Sequence, residues 1–243
     1  MSTSSDFISR ETLQRLLYDV KYLLKNPLHS QGIYYSHDEE NLLYGYALII
    51  GPKNTPYQYG YYLFKIQYSN EYPNSPPKVT YLTNDGVTRF HPNLYRNGKV
   101  CLSILNTWKG DQWSSCQSIS SILLTIVSVL DENPLCNEPG FSILSKECVP
   151  YNKIITYRNF ETAIKGIILK KDENYIEIKH FKNIILSTYS DNYKSIISLL
   201  EGYCKSENSN IYNITIYDMK KVEANYKYLL NEFNKLSPDK IKI

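Results

Sequence analysis

LLYGYALIIGPKNTPYQYGYYLFKIQY, residues Leu42–Tyr68, sets two runs of aromatic and branched apolar residues on either side of a glycine- and proline-marked loop. The runs, Leu42–Ile50 and Tyr61–Tyr68, are rich in residues that favour extended backbone, and Gly51-Pro52 and Thr55-Pro56 punctuate the connection. A third run, Val79–Leu82, follows YPNSPP, Tyr72–Pro77. Connections this short pair strands antiparallel, because a parallel pair needs a long crossover. An antiparallel meander is therefore expected.

On its N-terminal side, Leu13, Leu16, Leu17, Val20, Leu23 and Leu24 recur at helical spacing over residues 9–25, and Asn26-Pro27 ends the pattern. On its C-terminal side, periodicity stops after position 90 for more than twenty residues. A structureless segment of that length inside a domain marks function. It carries His91-Pro92-Asn93, the turn dipeptide Asn97-Gly98, Cys101, Trp108 and Trp113. A helix is expected from Ser114 to Leu130, with Ser114 and Gln117 at capping-box spacing, and Asn133-Pro134 stops it. Residues 145–170 resume a helical pattern, and 176–203 and 217–236 read as two further helices. The layout is α+β, with helices grouped against one sheet. It divides into a core over 1–170 and a helical C-terminal extension over 171–243 packed on that core.

Composition narrows the function classes. The 243 residues carry 27 basic and 24 acidic side chains, and a net charge of +3 without a polybasic run argues against a nucleic-acid partner. Five scattered cysteines with no CxxC pair argue against a disulfide framework or a zinc knuckle, so a reducing compartment is expected. MSTSSDFISR lacks the apolar stretch of a signal peptide, and the aliphatic runs are too short to span a bilayer. The 24 tyrosines fit an AT-rich coding genome and carry no function by themselves.

Cys101 has two readings. Flanked by Val100, Leu102, Ile104 and Leu105, it suits a small buried hydrophobe. Beside an Asn97-Gly98 turn that folds Asn93 back toward it, it suits an acyl-accepting nucleophile. The Asn93 amide would then stabilise an oxyanion or brace the loop. His91, next to Pro92, is a poor general base. Trp108 and Trp113 fit packing beneath their loop or contact with a partner, and Tyr57 fits structural packing.

The segments GPKNTPYQYGYYLFKI, YPNSPPKV, HPNLYRNGKVCLSIL and WSSCQSISSILLTI, in that order after an N-terminal helix, resemble the ubiquitin-conjugating enzymes, the E2 family. The longer stretches VTRFHPNLYRNGKVCLSILNTWKGDQWSSCQSISS and DENPLCNEPGF are similar to the larger subgroup that includes human conjugating enzyme Z. The resemblance implies a UBC fold: N-terminal helix, four-stranded antiparallel meander, active-site segment, then helices, with a helical C-terminal extension. It implies a thioester between Cys101 and the C-terminal glycine of ubiquitin or a ubiquitin-like protein, on a thiol open to solvent in a shallow groove. Asn93 would support isopeptide formation, and Glu138 or Asn137 would deprotonate the acceptor lysine, Glu138 having the right chemistry. Arg15 and Lys21 would meet the E1. No cofactor or metal is implied on the chain itself, since ATP is consumed by the E1. The partners are the modifier, the E1, E3 ligases and protein substrates, met by a monomer in the cytoplasm or nucleus (of a host cell, if the source is viral), with no membrane. A noncatalytic ubiquitin-binding scaffold on the same fold is the alternative. The chain departs from the family at Ser103, usually aspartate, and in the longer loop Asn106–Gln112. It departs also at Ser115-Cys116 and Asn74, surfaces on which many members hold E3 ligases.

Overall fold

The computed structural model describes residues 8–170, 176–207 and 209–241. Helix α1, Arg10–Lys25, is capped by Ser9, whose hydroxyl accepts from Thr12 N at 3.0 Å. Only part of its apolar stripe is buried: Leu16, Val20 and Leu23 enter the core, whereas Leu17 and Leu24 stay exposed.

Four strands follow, β1 Ile33–His37, β2 Tyr44–Ile50, β3 Tyr61–Gln67 and β4 Lys78–Tyr81, in a sheet of order β1-β2-β3-β4 with every pairing antiparallel. Three of these match the runs read from the sequence. The added strand, IYYSH, is short, and its register is set by pairing Ile33 with Ile49. Successive side chains alternate between two apolar clusters. Ala47, Ile49, Tyr62, Phe64 and Ile66 join the main core, while Tyr46, Leu48, Tyr61 and Leu63 join a second cluster on the other face. A strand buried on both faces needs no polar alternation, which is why YALII and YYLF read as continuous apolar runs.

The main core receives α2, Ile119–Val129, through Ile119, Ile122, Leu123 and Ile126, and α3, Cys148–Arg158, through Tyr151, Ile154 and Ile155. Helix α2 starts later than its sequence suggests. Ser114 and Gln117 do pair, Ser114 N donating to Gln117 Oε1 at 3.1 Å, but they close a turn; Ser118 is the N-cap. Helix α3 runs on through a π-helical stretch, Asn159–Gly166, into the short α4, Ile167–Leu169. Asn159, 1% exposed, is satisfied there by Tyr62 Oη at 2.7 Å and by Gln58 O at 2.8 Å. Many tyrosines are core residues of this kind. Tyr57 donates to Phe90 O and Tyr151 to Arg89 O, each at 2.8 Å.

The second cluster is covered by α5, Ile176–Lys179, α6, Lys182–Ser206, and α7, Tyr226–Lys235, through residues such as Ile185, Tyr189, Leu200, Leu229 and Phe233. Residues 217–236 are not one helix. Asn210–Ile214 (β5) and Met219–Ala224 (β6) form an antiparallel hairpin, and helix begins only at Tyr226. Ile214, Met219 and Val222 of the hairpin pack into the main core. No described helix is long and apolar enough to cross a membrane.

Candidate active site

The Asn97-Gly98 turn folds the chain as its composition suggests. Gly98 adopts φ +85°, and an added Cβ would lie 2.9 Å from Tyr81 O, so glycine is required on two counts. Beyond the turn, Cys101 N donates to Asn93 O at 2.9 Å, and Asn93 Nδ2 donates to Cys101 O at 2.5 Å. Asn93 and Cys101 are thus joined by a reciprocal pair of bonds. The Asn93 amide is directed at backbone, the bracing geometry of the two considered for it.

His91 is fully buried, and its Nδ1 accepts from Asn93 N at 3.0 Å. Burial, and secondarily the Arg89 charge, hold its pKa down to about 3, despite an opposing pull from the Val129 carbonyl. The ring is neutral at physiological pH and serves the turn. Arg89 clamps the same turn, donating to His91 O at 3.1 Å and Pro92 O at 2.6 Å while its guanidinium lies 3.3 Å over the Tyr95 ring.

Cys101 differs from expectation. The thiol is not open to solvent: the residue is 3% exposed. The cause is the long loop. After a 3-10 turn at Ser103–Leu105, Asn106 takes φ 55° and returns Thr107 over the sulfur, with Cys101 Sγ 2.7 Å from Thr107 O. Thr107 Oγ1 accepts from Leu102 N at 2.9 Å, which fixes the loop there. Val100 and Leu102 on either side join the main apolar cluster, and Cys101 is itself buried between them. One polar loop covers it. A groove of about 550 Å³ is lined by Pro77, Val79, Lys99, Val100, Leu105 and Thr107. In the resting protein we expect iodoacetamide to alkylate exposed Cys116 at least about tenfold faster than Cys101, read by peptide mass mapping. Equal rates would mean that the loop does not cover the thiol in solution.

The loop after α2 separates its two candidates. Asn137 Nδ2 donates within its own turn, to Asp131 Oδ2 at 3.1 Å and Pro134 O at 3.2 Å. Glu138 is half-buried and accepts from Tyr217 Oη. Pro139, next in sequence, lines a depression of about 560 Å³ with Thr107, Trp108 and Lys109.

On α1, Arg15 is occupied within the chain. It donates to Asp19 Oδ2 at 2.8 Å, Ser115 O at 2.5 Å and Gln117 O at 2.6 Å, fastening α1 to the approach to α2. Asp19 is 5% exposed and also accepts from Tyr72 Oη. Arg15→Ala should therefore lower unfolding free energy by about 2 kcal/mol in urea titration, since it strands a buried carboxylate. Unchanged stability would return Arg15 to a purely external role. Lys21 is exposed.

Among the described residues no cluster of three or more His, Cys, Asp or Glu side chains is arranged to hold a metal. The protein-family model described as Ubiquitin-conjugating enzyme matches residues 13–155, more than half of the chain. The chain belongs to the ubiquitin-conjugating enzyme family.

Within that family it is similar to Ubiquitin-conjugating enzyme E2 Z of Xenopus tropicalis, 41% identical over 159 residues, 64% of this chain and 50% of that protein. It is 42% identical to the human E2 Z over 171 residues, 66% of this chain and 47% of that one. It is 41% identical to Probable ubiquitin-conjugating enzyme E2 R521 of Acanthamoeba polyphaga mimivirus over 152 residues, 58% of this chain and 10% of that one. The chain spans about half the length of the E2 Z relatives.

Three residues of this E2 site carried no sequence signal as such. Thr107, Arg89 and Tyr217 act through backbone carbonyls, ring faces or contacts between distant segments, and no motif announces those. Of the tryptophans, Trp113 packs, donating Nε1–H to Pro73 O at 2.7 Å, whereas Trp108 is 42% exposed on the loop.

Proposed function

We propose that this chain is an E2 that accepts ubiquitin or a ubiquitin-like protein from an E1 as a thioester on Cys101. It then passes the modifier to a lysine amine or an E3 cysteine. The observation that carries this reading is the reciprocal bonding of Asn93 and Cys101, inside the segment that matches the family.

In the first step Cys101 Sγ attacks the carbonyl of the E1-linked modifier. A new C–S bond forms, the C–S bond to E1 breaks, and the Cys101 proton ends on the E1 thiol. Exchange of one thioester for another is near neutral, so ATP is needed only upstream, at the E1. The thiol must first leave Thr107 O, so charging includes movement of the Asn106–Gln112 loop. In the second step a lysine nitrogen bonds the carbonyl carbon and the bond to Cys101 breaks.

A free lysine has a pKa near 10.4, so the amine must lose a proton to a nearby acceptor. Glu138 is our assignment for that acceptor, because Asn137 has no basic atom and its amide is engaged in its own turn. The proton then returns to the departing Cys101 thiolate through solvent. Five free cysteines suit work in a reducing compartment, cytoplasmic or nuclear.

The test is incubation with a panel of E1 enzymes, ATP and modifiers, resolved on non-reducing gels. An adduct on Cys101 that reductant removes supports the reading. Modifier binding without any adduct across the panel would instead make the chain a scaffold.

A further inference from the structure

The tip of the β5–β6 hairpin, Ile216–Asp218, lies against the turns that carry Asn93 and Glu138, far from it in sequence. Tyr217 makes the contacts with Glu138, Arg89 and Tyr151. Its hydroxyl donates to Glu138 Oε2, its carbonyl accepts from Arg96 Nη2, and its ring lies 5.0 Å from the Arg89 guanidinium and 6.2 Å from the Tyr151 ring. Tyr217 and Asp218 both hold left-handed backbone, φ 58° and 51°. Non-glycine residues keep that conformation where surrounding contacts impose it. Burial, then the hydrogen bond to Glu138, push the Tyr217 hydroxyl well above its ordinary pKa, so it remains a donor throughout the physiological range.

We propose that Tyr217 is a positioning residue for Glu138, which makes the C-terminal hairpin part of the lysine-transfer site. The inference rests on the E2 reading above and deepens it. A glutamate on a loop loses rotamer freedom when it is fixed, and that cost falls on each transfer unless another contact has already met it. With Oε2 held by Tyr217, Glu138 presents Oε1, which has no hydrogen bond among the described residues, to the incoming amine. The same ring rests on Arg89, whose guanidinium holds the His91 and Pro92 carbonyls. One side chain thus sets the proton acceptor relative to the turn that braces Cys101.

Tyr217→Phe tests this, because it keeps the ring and removes only the hydroxyl. Protein charged on Cys101 is discharged into excess free lysine in a single turnover, beside Glu138→Gln, the double variant, and Tyr212→Phe. The last removes a hydroxyl of the same hairpin that bonds Glu207 instead. Tyr217→Phe should accept modifier from E1 at the wild-type rate and discharge about tenfold more slowly, a fraction of the effect of losing a general base. In the Glu138→Gln background it should add nothing, since the hydroxyl acts through that carboxylate. Tyr212→Phe should match wild type.

Hydrogen exchange on the uncharged proteins supplies a readout independent of any E1. Amides of residues 133–141 should exchange faster in Tyr217→Phe and not in Tyr212→Phe. Wild-type discharge by Tyr217→Phe, an undiminished tenfold loss on top of Glu138→Gln, or unchanged exchange in that loop would each overturn the assignment. Failure of wild-type protein to charge with any E1 would overturn the E2 reading, and the exchange comparison would still decide whether Tyr217 holds the Glu138 turn.

Discussion

Cys101→Ala should yield no adduct with any E1 and modifier that charge the wild type, and Cys101→Ser should yield one that survives reductant. The two substitutions differ by a single atom's chemistry. Alanine has nothing to acylate. Serine forms an oxyester, which thiols cleave poorly, while a thioester exchanges readily with excess reductant. The loss in Cys101→Ala should be complete because the other cysteines have different surroundings. Burial raises the pKa of the Cys148 and Cys204 thiols, which disfavours their reactive thiolates, and Cys148 Sγ is directed at Ser142 O at 3.0 Å. Cys116 is exposed without an asparagine partner of the kind that Asn93 provides. Intact-mass measurement under non-reducing conditions reads the result, and a reductant-sensitive adduct on Cys101→Ala would remove Cys101 from its role.

The second large effect is expected at Asn93. Asn93→Ala should charge normally with E1 and transfer to lysine about a hundredfold more slowly, or roughly 3 kcal/mol in the barrier, the scale of loss when a brace that positions the reacting centre is removed. Asn93 Nδ2 donates to the Cys101 carbonyl, so the side chain holds the residue that carries the acyl group at one point, eight positions away, beside a backbone bond from Cys101 N to Asn93 O that alanine would keep. Charging tolerates a looser site, because a thiol is a strong nucleophile and thioester exchange is balanced. Amine attack needs a weaker, desolvated nucleophile held in line with the carbonyl and does not. Single-turnover discharge at saturating lysine separates the steps; wild-type discharge by Asn93→Ala would exclude the assignment.

Local signals in the sequence reached the meander, the first helix and the turn joining Asn93 to Cys101, because each depends on residues close together in the chain. Leu42–Ile50 and Tyr61–Tyr68 are strands by composition and by a loop too short for a crossover, and Asn97-Gly98 is a turn by its dipeptide. Two strands were missed by local reading. IYYSH is a strand only because Ile33 and its neighbours pair with β2, and residues 219–224 are a strand only because they pair with β5. Pairing partners are not written in a five-residue window.

At the site, the family resemblance pointed to Cys101 and Asn93 but not to the covered thiol. Cover comes from Thr107 O, a backbone atom that every residue possesses, delivered by a left-handed Asn106. Glu138 was preferred to Asn137 on side-chain chemistry alone, and their hydrogen bonds add that the Asn137 amide is engaged. Tyr217, 79 residues from Glu138, could be paired with it only in three dimensions.

The apolar cluster behind the sheet carries one more consequence. Tyr46, Leu48, Tyr61 and Leu63 already rest against the C-terminal helices, and His180 stacks on Tyr46 at 4.8 Å between ring centroids. A visiting protein would find no greasy wall to land on at the rear unless it first pried a helix away. Apolar side chains on the loop around Trp108 and on the outward side of α1, where Tyr18 and Tyr22 stand in water, remain open instead.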